Sequence, residues 1–490
     1  MEPTIARTPF DVLQRRLRAL GSGGIADLAT GTIVVLPSIS FPTTELRKIV
    51  GIERYEERLL CLTLFLEHPE VDMVYATSAP ISEVVVDYYL SFLPDPKGAR
   101  ARLTLVDIDD EEPRALTEKL LGAPDALDRV RGAIVDPQKA YILPFNVTPL
   151  EREIAEILGV PLFGPLPELV AWGSKSGGRQ LARDAGVPVL PGSEDLYSLR
   201  DVERALQRLR SQRPSAEQIV IKLNNGFSGQ GNAIVDLATL RPRLDRSPTT
   251  FCAAEESWPS FLGKIEADGA ILEEVVRDPA MVSPSVQVRI APNGSYEIVS
   301  THDQILGGPD NQVYLGCRFP ARPEYRDAIV AHARSIAEEL SERDVIGSFG
   351  MDFIVVPIDG SHDIFLSEIN LRLGGTTHPF LMAKGVTNGM YDEKRGELLV
   401  HGRPTTYIAT DNLKSEAYKQ MSPADAIATL TDAGLDFDPS RGAGAVLHLL
   451  GALERYGKLG VLCISHGREA ADDLYAAVVA ALDERAARLS

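Results

Sequence analysis

The chain has 490 residues, of which 44% are hydrophobic and 24% charged, and this composition excludes a disordered protein. At roughly 100 to 200 residues per domain, the length predicts two to four domains. Sixty-nine acidic residues against 50 basic ones give a net charge of −19, which argues against broad contact with nucleic acid or an anionic membrane.

The first predicted element is an amphipathic helix at Phe10 to Leu20. Its Arg15, Arg16 and Arg18 are compatible with a membrane-surface or transit helix, whereas Asp11 and the acidic chain favour a short helix packed on the first domain. No apolar run approaches the ~20 residues that a bilayer span needs, and the N-terminus lacks a signal-peptide core. The four cysteines form no C-x-x-C pair, which is typical of reduced thiols. We therefore expect a cytoplasmic protein without a membrane partner.

The first third alternates β-rich runs with stretches of helical periodicity. The predicted strands are Thr32 to Leu36, Val71 to Thr77, Leu103 to Ile108 and Gly132 to Val135. This order predicts an α/β domain with a doubly wound parallel sheet. The loop from Pro37 to Thr44 follows the first strand, at the end of such a sheet where ligands commonly bind, so Ser38 is a candidate for substrate contact.

The middle of the chain begins after a Pro/Gly-rich junction around residues 160–165. Helices are predicted at Lys175 to Ala185 and Tyr325 to Arg343. Between and after them lie strands at hairpin-like spacing, which predict an α+β region with antiparallel sheets. These strands are Ile219 to Leu223, Ala270 to Val276, Val286 to Ala291, Tyr296 to Ser300, Met351 to Val356 and Ile364 to Ile369.

The C-terminal piece is predicted to be a small α/β unit. Ser422 caps a helix that Gly434 ends, two strands follow, and an amphipathic helix from Gly467 to Leu489 closes the chain. The strands are Ala445 to Leu450 and Leu459 to Ile464. We therefore expect three domains, at residues 1–165, 166–405 and 406–490.

A row of polar side chains on the last strand of the middle region predicts a metal site. Glu368, Asn370 and Arg372 are spaced at i, i+2 and i+4, so on a strand they share one face. Asp352 lies in an apolar strand, where an unpaired carboxylate is costly and usually has a cation partner. If the two strands form a hairpin, three oxygen donors converge, and such a set suits Mg²⁺.

A second candidate is the segment that follows the strand ending at Lys222. Gly226, Ser228, Gly229 and Gly231 lie in a loop whose backbone can approach phosphate, with Lys222 as a compact positive charge. The loop is not a Walker A sequence, and a plain β-hairpin turn explains it equally well.

Two further candidates are weaker when each is considered alone. Lys175 opens a helix and is read in isolation as a solvated lysine. Glu273 and Glu274, followed by Val276, form a strand end whose backbone can bond an adenine edge, although paired glutamates are commonly just solvated.

Taken together, these residues form an ordered series that resembles the ATP-grasp superfamily over about residues 165–400. The series is Lys175, Lys222 with its glycine loop, Glu273 to Val276, Asp352, and Glu368-x-Asn370-x-Arg372. The N-terminal third resembles the domain that precedes such a fold, and the resemblance implies an ATP-grasp domain with two α+β lobes. It also implies ATP and Mg²⁺ (or Mn²⁺) as cofactors, with Asp352, Glu368 and Asn370 holding the metal. The implied ATP-binding residues are Lys175, Lys222, Gly226, Ser228, Gly229, Gly231, Glu273, Glu274 and Val276.

Further segments are similar to the pheganomycin-type peptide ligases, which join an amino or guanidino acid to a peptide amine. They are Ser283 to Gln287, Thr301 to Gln304, Gly316 to Pro320, Gly374 to Pro379 and the C-terminal piece. The resemblance implies that Arg372 stabilises charge during acyl-phosphate formation. Some amide-forming relatives carry an arginine where this chain has Gly350, so Arg372 or Arg289 must serve instead.

The remaining candidates concern the substrate. Those assigned to substrate contact are His302, Gln304, Gly375, Thr376 and His378. A lone histidine is, before context, more often a hydrogen-bonded structural group. Cys317 lacks a Cys-His-Asn arrangement and is read as an inert buried thiol.

These observations predict an ATP-dependent carboxylate–amine ligase that forms an amide or peptide bond through an acyl phosphate and releases ADP and phosphate. We expect a carboxylic acid or amino acid and an amine or peptide acceptor as partners, with no nucleic acid, and a homodimer is compatible with the sequence. The acidic chain hints at a basic acceptor, although a local site can differ. The alternatives are an ATP-binding regulatory protein without turnover and a Mg-ATP phosphotransferase that acts on an alcohol.

Overall fold

The computed structural model describes residues 9–22, 28–226, 231–253, 255–307 and 313–489. Its N-terminal part alternates helices and strands along the chain. These are α1 (Phe10–Leu20), β1 (Gly31–Leu36), α2 (Thr43–Leu46), a 3₁₀ helix (Ile52–Glu67), β2 (Val71–Thr77), α3 (Glu83–Leu90), α4 (Pro96–Ala101), β3 (Leu103–Asp107), α5 (Leu116–Leu121), α6 (Pro124–Ala133), β4 (Tyr141–Pro144) and α7 (Pro149–Leu158).

The N-terminal strands form a parallel sheet in the order β3-β2-β1-β4. On β1, Ile33 and Val35 face one apolar core, while Val34 and Leu36 face another. Burial of both faces explains why the strands are continuous apolar runs, and it confirms the predicted doubly wound sheet.

One predicted strand is wrong. Gly132 and Ala133 lie at the end of α6, and Val135, in the loop that follows, is 72% exposed. The fourth strand is β4, whose Tyr141 and Ile142 are buried. A short apolar run does not by itself distinguish a helix end from a strand, and Ile134 is buried as part of the core beneath α6.

The first helix is packed on the N-terminal sheet, as favoured by the sequence. Phe10, Leu13 and Leu17 are buried. Gln14 Nε2 donates to the carbonyl of Leu162 at 3.0 Å, and the amide of Leu162 donates back to Gln14 Oε1 at 3.0 Å. Among the helices that the structure describes, none is both long enough and apolar enough to span a bilayer.

The middle region contains a first lobe with a small antiparallel sheet. Its elements are a 3₁₀ helix (Pro167–Gly173), α8 (Lys175–Asp184), β5 (Gly192–Leu196), α9 (Leu199–Gln212), β6 (Gln218–Leu223), β7 (Asn232–Asp236), β8 (Thr249–Phe251), α10 (Trp258–Asp268) and β9 (Ala270–Glu274). The strands pair in the order β5-β9-β6-β7-β8. On β6, Ile219, Ile221 and Leu223 pack into the apolar core with α9 and α10, so Lys222 points to the opposite face.

The second lobe is built on a larger antiparallel sheet that continues into the C-terminal part. Its elements are β10 (Pro284–Ile290), β11 (Tyr296–Gly307), β12 (Val313–Phe319), α11 (Pro323–Glu342), β13 (Gly347–Ile358), β14 (Ser361–Asn370), α12 (Thr377–Thr387), β15 (Met390–Asp392), β16 (Glu397–Val400) and β17 (Arg403–Lys414). Most of the strands pair in the order β14-β13-β10-β11-β12-β17-β16-β15.

The C-terminal part shares both sheet and core with the rest of the chain. It contains a 3₁₀ helix (Glu416–Gln420), α13 (Pro423–Asp432), β18 (Gly444–His448), α14 (Leu453–Tyr456), β19 (Lys458–Ser465) and α15 (Arg468–Leu489). The two predicted strands pair with each other as expected, and β19 also pairs with β17. Its residues Val446, Leu462 and Val478 belong to the same apolar core as Ile33 and Tyr75 of the N-terminal sheet.

Candidate active site

The predicted row of metal ligands lies on the hairpin formed by β13 and β14. Asp352 is directly opposite Glu368, and Gly350 is opposite Asn370. Asn370 Nδ2 donates to Asp352 Oδ2 and to Glu368 Oε1, each at 3.0 Å. Gln304 Nε2 of β11 donates to Asp352 Oδ1 at 2.8 Å. The hairpin therefore brings the three predicted oxygen donors together and adds Gln304 to them.

The two carboxylates of this row are buried side by side and influence each other. Burial and the negative charge of Glu368 raise the pKa of Asp352. Burial acts in the same direction on Glu368, but the ammonium group of Lys175, which is ion-paired with it, lowers the pKa of Glu368 overall. Asp352 forms no ion pair with the residues that the structure describes, so a divalent cation bound here would stabilise its charged form.

The donor chemistry of this row fits Mg²⁺. Within the described ranges, no cluster of three or more His, Cys, Asp and Glu side chains is arranged to hold a metal ion. A metal here would therefore take oxygens from two carboxylates and the amide of Asn370, and fill its other positions with water or phosphate oxygens. Rotation of the Asn370 amide by a half-turn presents Oδ1 where Nδ2 now lies, and this oxygen can then accept a cation.

Lys175 connects the metal row to the glycine loop. It begins α8, is 8% exposed, and donates from Nζ to the carbonyl of Gly226 at 3.3 Å in addition to its ion pair with Glu368. The N-terminus of α8 is anchored by Asn224, whose Oδ1 accepts from the amide of Ser176 at 3.0 Å. Lys175 is therefore held at the junction of the two lobes and is not a solvated lysine.

The base of the glycine loop is closed by a hydrogen bond from the amide of Leu223 to the carbonyl of Gly231 at 2.9 Å. A Cβ added to Gly231 would lie 2.9 Å from the Cα of Gly226, so position 231 requires glycine, and a Cβ on Gly226 would be a tight contact at 3.1 Å from the Cα of Gly231. The candidates Ser228 and Gly229 lie outside the described residues.

Lys222 and the candidate adenine-binding residues lie on neighbouring strands of the first lobe. Lys222 Nζ is 2.9 Å from Glu273 Oε2, and Glu273 is also ion-paired with Arg179. Glu273 is fully buried, so it acts in the structure as the counter-ion of two cations. Glu274 is half-buried, its Oε2 lies 2.8 Å from Arg213, and Val276 is partly exposed at the strand end. Adenine binding by this strand end stays a prediction.

Two cavities meet at Arg372. The larger, about 870 Å³, is lined by Asp352, Glu368 and Asn370, and the smaller, about 450 Å³, is lined by Lys175 and Gly226. The guanidinium of Arg372 lines both and lies 5.4 Å from the centre of the Phe41 ring. Its side chain makes no ion pair with any part of the chain that the structure describes, so it is available to an anion in the cleft.

Of the six candidates for substrate contact, three line the larger cavity and three are buried away from it. Gln304, Gly375 and Thr376 are on its wall. The other three candidates lie in the interior. His302 hydrogen-bonds Tyr407 Oη at 2.7 Å, and the ring of His378 is 4.8 Å from that of His448. The hydroxyl of Ser38 accepts from the amide of Thr117 at 3.0 Å. All three side chains are at most 4% exposed, which argues against direct contact with a substrate.

Neither Arg289 nor position 350 supplies an arginine to the metal row. Arg289 is ion-paired with Glu297 and borders a separate, mostly apolar cavity of about 200 Å³ that Arg372 also borders. A Cβ on Gly350 would lie 2.8 Å from Gln287 Nε2, so the amide of Gln287 occupies the space that a longer side chain would use. Of the two arginines, only Arg372 faces the metal row.

The sequence analysis did not identify a second group of polar residues that line the larger cavity. Tyr55 and Arg58 come from the 3₁₀ helix of the N-terminal part, Asp411 from β17 and Lys458 from β19. Tyr55 and Lys458 are 403 residues apart, so no motif or spacing connects the group. Arg58 gives no local signal either, because it ends a charged run from Glu53 to Arg58 that precedes the apolar stretch Leu59 to Leu66.

Comparison with known proteins identifies related chains. A family model described as "IQCH-like, ATP-grasp" matches residues 167–246 and 247–393, and a model described as "PGM1 C-terminal domain" matches residues 425–478. L-propargylglycine–L-glutamate ligase of Streptantibioticus cattleyicolor is 30% identical over 456 residues, which cover 90% of this chain and 92% of that protein.

Two solved structures show a similar fold. One is biotin carboxylase of Campylobacter jejuni in a complex with βγ-ATP, which has a TM-score of 0.57 at 14% identity. The match covers 95% of this chain and 96% of that one. The biotin carboxylase domain of Hydrogenobacter thermophilus 2-oxoglutarate carboxylase, in a complex with MgADP and bicarbonate, has a TM-score of 0.54 at 13% identity, with 91% and 89% covered.

Proposed function

We infer that the chain is an ATP-dependent carboxylate–amine ligase, because it belongs to the ATP-grasp superfamily and, within it, to the family of L-propargylglycine–L-glutamate ligase. The observation that supports this function best is the meeting in one cleft of Asp352, Glu368, Lys175 and Arg372, the last without an ion pair to any residue that the structure describes. Such a site suits the transfer of a phosphoryl group to a carboxylate, where catalysis is mainly positioning and charge stabilisation.

We propose the following mechanism. A carboxylate oxygen of the first substrate attacks the γ-phosphorus of ATP, the bond to the bridging oxygen breaks, and ADP leaves. The amine nitrogen then attacks the acyl carbon, the C–O bond breaks, and phosphate leaves with the proton that the nitrogen loses. A bound Mg²⁺, or Mn²⁺ on the same oxygen donors, would neutralise phosphate charge during the transfer.

The protein's own residues have four roles in this proposal. Asp352, Glu368 and Asn370 hold the metal, and Gln304 orients Asp352 through its hydrogen bond. Lys175 and Lys222 bind phosphate oxygens, with the first already placed between Glu368 and the glycine loop. Arg372 stabilises the negative charge of the acyl phosphate.

A panel of substrates tests this function. Purified protein is mixed with ATP, MgCl₂ and pairs of amino acids and short peptides, beginning with L-propargylglycine and L-glutamate because the related enzyme is named for them. ADP and phosphate are measured, and the products are weighed by mass spectrometry. We expect a product whose mass is the sum of two substrates minus water.

Variants of the metal row complete the test. Glu368→Gln and Asn370→Ala are expected to abolish product formation, whereas Glu484→Gln, on the exposed face of α15, leaves it unchanged. Nucleotide binding without ADP release for any pair would favour a regulatory protein. A stable phosphorylated product without free phosphate would favour a phosphotransferase.

We retain four broader points as proposals. The chain divides at about residues 165 and 405, it is cytoplasmic, it acts on small carboxylic acids and amines and not on nucleic acid, and two copies associate. Size-exclusion chromatography with light scattering tests the last of these directly.

A further inference from the structure

The larger cavity is also lined by four residues that the mechanism above leaves without a role. Tyr55, Arg58, Asp411 and Lys458 line it together with Asp352, Glu368 and Asn370 of the metal row. We call these four residues the distal cluster. They come from three separate parts of the chain and are buried or nearly so.

Arg58 is held in a fixed position within the distal cluster. Its Nη1 donates to Asp411 Oδ2 at 3.1 Å, and the two side chains are 11% and 9% exposed. The guanidinium lies 4.7 Å from the centre of the Tyr55 ring and 5.4 Å from that of Phe145. Across the part of the chain that the structure describes, the bond to Asp411 is the only hydrogen bond of this side chain. A guanidinium has five donors, so Arg58 retains several for a ligand.

Lys458 adds a second buried cation. It is 7% exposed, and its Nζ contacts the hydroxyl of Tyr55 and lies 4.8 Å from the centre of that ring. Among the described residues, no carboxylate lies within 4.0 Å of its Nζ. Burial lowers the pKa of Lys458, while the charge of Asp411 opposes that change.

The distal cluster therefore carries an excess of positive charge. Its buried charges are Arg58 and Lys458 against the single carboxylate of Asp411. Two acidic residues at the rim of the same cavity have partners of their own, because Glu255 lies 3.6 Å from Lys48 and Glu416 lies 2.8 Å from Lys419. A buried cation without a full counter-charge is costly, so this arrangement favours an anionic ligand.

The reaction itself limits which anion this is. The carboxylate that is phosphorylated must lie beside the metal row and Arg372, since the phosphoryl group is transferred there. No hydrogen bond or ion pair among the described residues joins the distal cluster to Asp352, Glu368 or Arg372, so a carboxylate held by the cluster is one that the reaction leaves unchanged. An amine substrate that is an amino acid or an unblocked peptide carries such a group, and so does an acid substrate with a second carboxylate, which the test below distinguishes.

We propose, on the basis of the ligase function inferred above, that the distal cluster binds an unreacting carboxylate of the amine substrate. Arg58 and Lys458 contact the carboxylate, and Asp411 positions Arg58. The acceptor is then an amine that carries a free carboxylate, such as an amino acid or a peptide with an unblocked C-terminus.

The test separates the two halves of the reaction. In the first, protein, ATP, Mg²⁺ and the acid substrate are incubated with hydroxylamine, whose nitrogen attacks the acyl carbon of the acyl phosphate and releases phosphate to leave a hydroxamate. In the second, the KM for the amine substrate is measured for the productive pair found in the panel. The variants are Arg58→Gln and Lys458→Met, with Arg54→Gln as a matched control.

Arg54 is a suitable control because it lies one turn before Arg58 and is paired with Glu111, outside the cavity. Charge-assisted hydrogen bonds of this kind change affinity by about 10- to 100-fold. We expect Arg58→Gln and Lys458→Met to raise the KM for the amine by that factor and to retain hydroxamate formation. The same amine with its carboxylate converted to a carboxamide should show a similar loss with the unmodified protein and little further loss with Arg58→Gln.

Each other result has a definite meaning. An unchanged KM for the amine in both variants, with the protein active, overturns the distal cluster as a carboxylate site. A raised KM for the acid substrate, with loss of hydroxamate, overturns it in favour of the other substrate. Failure of the unmodified protein to form either hydroxamate or amide would instead contradict the ligase function itself.

Discussion

Arg372 is distinguished from the other arginines of the cleft by what it lacks. Among the described residues, Arg58 is paired with Asp411 and Arg289 with Glu297, whereas the side chain of Arg372 forms no ion pair and packs beside the ring of Phe41, with the charges of Glu368 and Asp352 nearby. A partly exposed guanidinium without an ion pair contributes little to folding, so the position is better explained by catalysis.

We expect Arg372→Gln to lower kcat by about 100- to 1,000-fold, the range seen when a preorganised group that stabilises transition-state charge is removed. The KM for ATP should change much less. Steady-state ADP release measures both quantities, and Arg289→Gln serves as the comparison. Equal losses of kcat in the two variants would contradict the assignment of this role to Arg372 in preference to Arg289.

The buried His302 predicts a pH dependence of stability. Burial lowers its pKa to about 3, whereas an unfolded histidine titrates near 6.5. Between these values the unfolded chain binds a proton that the folded protein does not. The free energy of unfolding therefore falls as the pH is lowered through this window, by about 1.4 kcal/mol per pH unit for one such histidine.

We expect His302→Gln to flatten this dependence by up to one proton, measured by urea unfolding at a series of pH values from 7 to 4. His378 and His448 are also buried with lowered pKa values and should keep part of the slope. His68→Gln, at an exposed position, is the control. An unchanged slope in His302→Gln would mean that His302 is protonated in the folded protein.

At the scale of helices and strands, the sequence predicted those elements whose own residues carry the signal. Helix α8 has a start and a stop in its sequence, and the metal hairpin has an acid in one apolar strand and three spaced polar residues in the next. Strands β12 and β17 were not predicted, because their stability comes from pairing with each other and with β19.

The same reasoning explains the candidate site. Lys175, Lys222 and the metal row were found because each is unusual for its local sequence. The burial of His302 is set by Tyr407, which is 105 residues away, and no local pattern reveals it. The distal cluster was missed for the same reason.

Substitution of two glycines by alanine tests the end of α6 and the close approach of β12 to β17. Gly132, in a segment that the sequence predicted as a strand, lies in α6, and a Cβ there meets nothing within 4 Å. Gly132→Ala should stabilise the protein by about 0.5 kcal/mol, as expected for a helix. Gly316 of β12 faces the carbonyl of Ala409 on β17 so closely that a Cβ cannot fit. Gly316→Ala should destabilise it by about 1–3 kcal/mol.

Urea unfolding of both variants measures these changes. The two substitutions add the same methyl group, so a difference in sign reports on the local structure and not on the chemistry of alanine. Destabilisation by Gly132→Ala would argue against the helix, and a neutral Gly316→Ala would argue against the close approach of β12 and β17.

At the scale of the whole molecule, the cleft depends on contacts between distant parts of the chain. The cavity that contains the metal row is lined by the N-terminal 3₁₀ helix, by the second lobe and by the C-terminal strand β19. A net charge of −19 describes the outer surface of such a protein but not the buried cations of the distal cluster. Overall charge is therefore a poor guide to the substrate of a buried site.

The shared sheet also predicts how the chain responds to being cut. The turn at His401 and Gly402, between β16 and β17, is exposed, and cutting there removes β17 and everything after it. The remaining piece would lose the partner strand of β12 and expose Phe319, whose ring stacks on Tyr407 at 4.9 Å between centres. A newly exposed strand edge beside an apolar surface favours aggregation.

We therefore expect residues 1–402 to be insoluble when they are expressed alone and to be recovered in soluble form when residues 403–490 are co-expressed. A tag on one piece and a blot for the other measure their association, and the hydroxamate assay measures whether the cleft has re-formed. Recovery of soluble, associated pieces together with hydroxamate formation would mean that the C-terminal part completes the core and the active site of the rest of the chain. A soluble 1–402 piece with a cooperative thermal transition of its own would show instead that the C-terminal part is an independent unit attached to a finished fold.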